Sequence, residues 1–220
     1  MLGRNPQRLI RRACLPRRDS HNFDAYRCLP MLADDLFRLD AVTEFALNAM
    51  ALHDTWEIGH SIRTAELIEE LAFEMELRTA DIVLLKYLAK LHDIGKLGIS
   101  DVILSRRKLS VSDMDTIRGH PFNGAALIKD MNFDERITLG ILQHHECWDG
   151  SGYPSGLIGT QITLWARMLL VVDTYDAICS ERAEHKARTM TETLKIMERE
   201  QGVKSDPDIF RVFQKMMTRT

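Results

Sequence analysis

From residue 31 onward almost every stretch of this 220-residue chain repeats its apolar side chains at spacings of three and four, and none alternates convincingly at a period of two between hairpin turns. That pattern commits the chain to helices packed on helices. Residues 31–52 carry Leu32, Leu36, Leu39, Phe45 and Ala49 along one side, and residues 60–77 repeat Ile62, Ala65, Ile68, Ala72 and Met75. Start signals agree with the periodicity. Ser110 with Asp113, Asn132 with Glu135 and Thr189 with Glu192 each set a cap three residues before an acid. Asp206-Pro207 places a capping acid before a proline suited to the first helical position, and Gly202 suits a helix stop. The expected architecture is all-α, a compact bundle of seven or eight helices. The length suits one domain with a short extension, divided here as 1–50, a basic arm plus a helix, and 51–220, the bundle.

Charge and cysteine usage exclude several classes. Twenty-nine basic against 32 acidic residues leave a net charge of −3, without the global positive field of a nucleic-acid polymer or membrane binder. The longest apolar stretches, such as Met168–Val172, fall far short of the roughly 20 residues that a membrane span needs. Cys14, Cys28, Cys147 and Cys179 are scattered, with no C-x-x-C pair, and read as free thiols of a reducing, cytoplasmic compartment. Residues 1–18 hold six arginines and no acid, the composition of an exposed basic arm.

One segment breaks the helical rhythm. Trp148-Asp149-Gly150-Ser151-Gly152-Tyr153-Pro154, running on to Gly159, is too rich in glycine and proline to be anything but a loop. It directly follows His144-His145. Further histidines stand at His60, at the start of a helix, at His92 beside Asp93, near a helix end, and at His120, in the middle of a helix, while Asp173 ends the apolar run of another. A carboxylate in that position is costly unless paired or bound to a metal. Imidazole and carboxylate together suit divalent transition metals, and facing helices of a bundle are a recurrent place to gather them. A shared carboxylate such as Asp93 could bridge two ions.

At these residues the chain resembles a known family. His92-Asp93-Ile94-Gly95-Lys96 resembles the signature of HD-domain metal-dependent phosphohydrolases, and Asp149-Gly-Ser-Gly-Tyr-Pro154 after His144-His145-Glu146 resembles the second signature of the HD-GYP subfamily. The likeness runs from about Trp56 to Phe213 and takes in Arg118-Gly119-His120-Pro121. His53-Asp54 is another His-Asp pair, but it lacks the Gly-Lys sequel and reads as helix surface.

The resemblance implies a phosphodiesterase for the bacterial second messenger cyclic di-GMP, yielding pGpG or GMP through a hydroxide held between two metals. It implies His60, His92, Asp93 and Asp173 as ligands of one ion, and His120, His144 and His145 as ligands of the other, with Asp93 shared. Iron or manganese is the implied metal, with nickel or zinc as alternatives. Lys96 matches the family's catalytic lysine, while Asp176 and Arg182 match positions near the substrate phosphate. Lys186 matches a family base displaced by one residue, and Gly152 and Tyr153 bring the loop to the substrate or to signalling partners such as diguanylate cyclases. The acid that provides a third metal in some members falls at Trp56, with Glu57 one residue along, so a dinuclear site is expected. Any input is expected through a partner protein or a homo-oligomer. The alternative readings are a catalytically silent cyclic di-GMP receptor, which the altered stretch 183–186 leaves open, and an HD phosphohydrolase for another nucleotide.

Overall fold

Helix ends in this chain are set by short polar caps, and those ends later hold the site. The computed structural model describes residues 29–219 except 54, 107, 132 and 182–185. Its helices are α1 (Leu29–His53), α2 (Thr55–Glu74), α3 (Thr79–Leu91), α4 (Asp101–Leu104), α5 (Val111–Arg118), α6 (His120–Ile128), α7 (Glu135–Gln143), α8 (Leu164–Cys179), α9 (Met190–Glu200) and α10 (Pro207–Met217). Only α4, at four residues, is shorter than eight, so the described residues hold nine full helices where the periodicity suggested seven or eight. No strand is present among them; two isolated bridges, Asp149 with Ile158 and Gln201 with Ser205, tie loops together.

The caps follow the sequence. Ser110 and Asp113 form a reciprocal box at the start of α5, and Thr189 and Glu192 do the same for α9. The Asp206 carboxylate accepts from the Asp208 and Ile209 amides, with Pro207 opening α10. Asn132 lies outside the described residues, and the cap of α7 is Asp134.

α2 packs on α3 and α8, while α10 closes over α2 and α8 and α7 over α3. Ile68, Leu71, Leu85, Leu88, Ile141 and Phe213 in this layer are fully buried. Each is worth roughly 1.5–3 kcal/mol of burial. α1 joins the same core through Leu39, Ala46 and Met50. Its expected stripe is only partly the buried one: Leu39 is inside, whereas Phe45 is 75% exposed, as is Ile62 of α2 at 43%. On α1 a second apolar row, Phe37, Ala41, Phe45 and Leu52, shares the helical period, so spacing alone does not distinguish the inner face from the outer.

After α3 the chain tightens into a 3₁₀ turn over Ile94–Gly98, against which α6 packs. Gly95 makes this contact feasible. A Cβ there would overlap the His120 carbonyl oxygen and crowd the Gly124 nitrogen, both backbone atoms that cannot step aside. The glycine in the His-Asp-x-Gly-Lys run is therefore what lets Asp93 and His120 come together. His120, expected in the middle of a helix, is the first residue of α6, just after Gly119.

Candidate metal centre

The histidines are aimed by helix ends. The last carbonyls of an α-helix have no partner within the helix. His92 caps α3 and its Nδ1–H donates to the Ala89 carbonyl, 2.8 Å away. His144 caps α7 and donates to Ile141, at 2.6 Å. His120 donates to Ile117 in the last turn of α5, at 2.7 Å. A carbonyl only accepts, so each Nδ1 carries the hydrogen and each Nε2 lone pair points inward. His60, in the second turn of α2, is held differently: its Nδ1 meets the Asp176 carboxylate at 2.8 Å. Arg63 grips that carboxylate with two bonds, of 2.6 and 2.9 Å.

These Nε2 atoms gather around Asp93. On one side, His92 Nε2 lies 3.2 Å from Asp93 Oδ2 and 3.3 Å from His60 Nε2, and His60 Nε2 lies 3.1 Å from Asp173 Oδ1. On the other, His120 Nε2 is 3.1 Å from both Asp93 Oδ1 and His144 Nε2, and His145 completes the group. The two oxygens of one carboxylate thus face two separate ligand sets. His120 and His144 test whether a cation fits. Both have given their Nδ1–H to carbonyls, so two lone pairs meet at 3.1 Å, an arrangement that is repulsive until a positive ion lies between them. All seven residues expected as ligands meet here, and the two clusters could each hold a divalent ion.

The sets differ electrostatically. Burial opposes charge on His60, but hydrogen bonds to Asp173 and Asp176 and the nearby Asp93 charge outweigh it and raise its pKa to about 9. His92 is also raised, against its burial, by Asp93 and Asp173. In the second set burial dominates: His144 is pushed well below its ordinary value, with neighbouring histidines adding to the effect, and His145 is lowered to about 4. Asp93 and Asp173 are themselves held low despite burial, by the histidines around them and, for Asp93, by Lys96 as well. The first set is rich in carboxylate, and its His60 is charged without metal; in the second, burial keeps His144 and His145 neutral.

Lys96 enters from the Oδ2 side of Asp93. The tight 3₁₀ turn brings its Nζ to 2.7 Å from Oδ2 and 2.8 Å from Glu57 Oε1. Glu57 Oε2 is buried without a hydrogen-bond partner. Burial first, then the Asp93 charge, raises the Glu57 pKa, with Lys96 opposing. In the sequence Glu57 stands out only as a displaced third-metal acid, and neither its pairing with Lys96 nor that of Arg63 with Asp176 is visible there.

The loop lies directly on the second set. Glu146 is fully buried and accepts from the Ser155 and Leu157 amides at 2.6 and 3.0 Å, anchoring the far side of the turn. The Tyr153 amide donates to the His145 carbonyl, and the two rings stack at 4.9 Å with 34° between planes. A Cβ on Gly152 would overlap the Cys147 nitrogen, the His145 carbonyl oxygen and the Glu146 Cα. Gly152 therefore serves close packing beneath the site, where the sequence suggested substrate contact. Trp148 packs under Arg167, 5.7 Å from its ring centre.

Asp176 needs correction. Expected near the substrate phosphate, it is 3% exposed and sits behind His60, where it orients the ring. Lys186 is on the surface; Arg182 lies outside the described residues, as do Asp54, Cys14 and Cys28. Cys147 and Cys179 are free thiols.

A sequence profile of the HD domain matches residues 44–209. Over 172 residues the chain is 37% identical to a cyclic di-GMP phosphodiesterase of Pseudomonas aeruginosa, covering 77% of this chain and 41% of that protein. It is 30% identical over 185 residues to a 3'3'-cGAMP-specific phosphodiesterase of Vibrio cholerae, covering 84% and 40%. The chain thus spans about 40% of the length of these relatives. An HDG"Y"P protein from Bdellovibrio bacteriovorus has a similar fold, with a TM-score of 0.61 at 21% identity over 73% of this chain and 52% of that one. No helix among the described residues is long and apolar enough to cross a membrane.

Proposed function

The chain belongs to the HD domain family, in its HD-GYP branch, and from that premise we propose that it hydrolyses cyclic di-GMP to pGpG, with GMP as the product of a second cut. The observation that carries this reading is Asp93, a single carboxylate turned to two histidine sets that share no other ligand. His60, His92, Asp93 and Asp173 would hold one divalent ion and His120, His144, His145 and Asp93 the other, with iron or manganese ahead of nickel or zinc. When bound, such a pair supplies an activated water and positive charge at the phosphoryl oxygens. The chain's own residues do the rest. Asp93 fixes the spacing of the sets, and Asp176 with Arg63 keeps the His60 Nε2 turned inward. Lys96, a cation drawn to Oδ2, adds charge where the phosphorus oxygens become more negative. Residues 51–220 constitute the catalytic domain in this reading, acting in the cytoplasm, and the Gly-Tyr-Pro loop is the docking point for signalling partners or a second copy.

Incubating pure protein with cyclic di-GMP and Mn(II) or Fe(II), then separating products, tests the proposal. Linear pGpG is the expected first product. Binding without turnover would favour the silent receptor. The likeness to a 3'3'-cGAMP-specific enzyme makes that dinucleotide the second substrate to try, and cleavage of it alone would overturn the cyclic di-GMP assignment.

A further inference from the structure

Arg118 ends α5, two residues before His120, and its exposed guanidinium lies over the Tyr153 ring, 5.7 Å from the centroid. Tyr153 in turn stacks on His145. Other arginines of the domain are committed to carboxylates: Arg63 to Asp176, Arg106 to Asp113, Arg136 to Asp81 and Asp134, Arg167 to Asp206. Arg118 has no hydrogen bond and no acidic partner among the described residues. An aromatic shelf holds its planar fork, so its donors are oriented and unspent.

Its place complements that of Lys96. Lys96 approaches Asp93 from the Oδ2 side, with the first histidine set; Arg118 belongs to the Oδ1 side, beyond His145. A cyclic dinucleotide with one phosphodiester between the ions must extend its second nucleotide past one edge of the centre. We infer that Arg118 is a specificity-determining residue that grips this uncleaved nucleotide. A guanidinium fork matches paired acceptors, whether two phosphate oxygens or the O6 and N7 edge of guanine. The inference rests on the proposed cyclic-dinucleotide activity.

The test compares the metal-loaded wild type, Arg118→Ala and Arg118→Lys on cyclic di-GMP, cyclic di-AMP and bis(p-nitrophenyl) phosphate, a diester with neither a second phosphate nor a base. For Arg118→Ala, kcat/KM on cyclic di-GMP should fall about 10–100-fold, chiefly through KM, as expected for a lost charge-assisted contact. That fall should exceed any fall on bis(p-nitrophenyl) phosphate at least tenfold, with metal content equal in all three proteins. If the contact is to phosphate, Arg118→Lys recovers much of the loss and cyclic di-AMP suffers like cyclic di-GMP. If it is to guanine, lysine rescues poorly and only the guanine substrate suffers. Equal losses on the large and small substrates, or an unchanged KM, overturn the assignment to Arg118. A wild type that cleaves bis(p-nitrophenyl) phosphate but neither binds nor cleaves any cyclic dinucleotide overturns instead the activity on which it rests.

Discussion

Replacing Lys96 by methionine separates its electrostatic role in folding from its role in turnover. The side chain bridges two acids, with Nζ 2.8 Å from Glu57 and 2.7 Å from Asp93. Removing one partner of a fully buried ion pair costs about 3–5 kcal/mol, because the other charge is stranded. Here the Lys96 and Glu57 side chains are 21% and 13% exposed, so water softens the loss. We expect roughly 2–3 kcal/mol for Lys96→Met in metal-free protein. In a domain of this size each kcal/mol moves Tm by about 2–4 °C, giving a drop on the order of 4–12 °C. Glu57→Gln in the same background removes the stranded charge and should restore about half, a coupling that a double-mutant cycle reads directly. The pH dependence has a definite sign. Glu57 is raised by burial, and losing Lys96 removes the group that lowers it. A carboxyl whose pKa is raised on folding costs stability increasingly as pH rises from its unfolded value to its folded one and in full above that, so the deficit should be largest near pH 8 and shrink toward pH 5. Turnover should fall about 10²–10³-fold in single and double variants alike, since neither holds the cation. Thermal melts across pH, with kinetics and metal content on the same samples, decide the matter. A deficit that ignores both pH and Glu57→Gln, together with wild-type turnover, would show that Lys96 is only a solvated cation at a helix end.

Two further outcomes follow from His60. With its pKa near 9, the ring of metal-free protein is protonated at pH 7, so loading metal should release about one proton per chain from it, read with an indicator dye in weak buffer. The release should fade above pH 9, and without metal the stability this charged ring contributes should be lost as pH rises through the same range; proton-neutral loading at pH 7 would contradict the assignment. Asp176→Asn keeps the shape but removes the carboxylate behind His60, and should weaken metal affinity about 10–100-fold in titrations against a chelator while leaving helical content intact. Unchanged affinity would mean that the contact does not orient the ring.

Much of this was legible because helix caps and ligand motifs are local. Ser110, Thr189 and Asp206 announce their helices within four residues. The histidines were equally visible, two of them standing where α3 and α7 end. What stayed hidden depends on contacts that sequence distance conceals. Arg63 meets Asp176 across 113 residues, and Glu57 meets Lys96 across 39. The start of α6 was concealed for another reason: Gly119 keeps right-handed helical angles, φ −76 and ψ −14, so the apolar rhythm of α5 runs into α6 almost unbroken. The role of Gly152 could not be read either, because a glycine needed for close packing and one that lines a pocket look alike in a string of letters.

The wide separation of the ligands along the chain bears on the order of events in a cell. His60 and His92 are 32 residues apart and His120 and His144 are 24 apart, and Asp173 arrives from yet another helix. Apart from the adjacent pairs His92-Asp93 and His144-His145, a nascent chain presents no ready-made chelate, and closing each longer loop around an ion costs entropy that one coordinate bond would have to offset. Folding must therefore come first, driven by the apolar layer of α2, α3 and α8, and capture second. A divalent ion would then be chosen by a finished apoprotein, so withholding metal should leave the chain folded, with its site empty or filled by another ion.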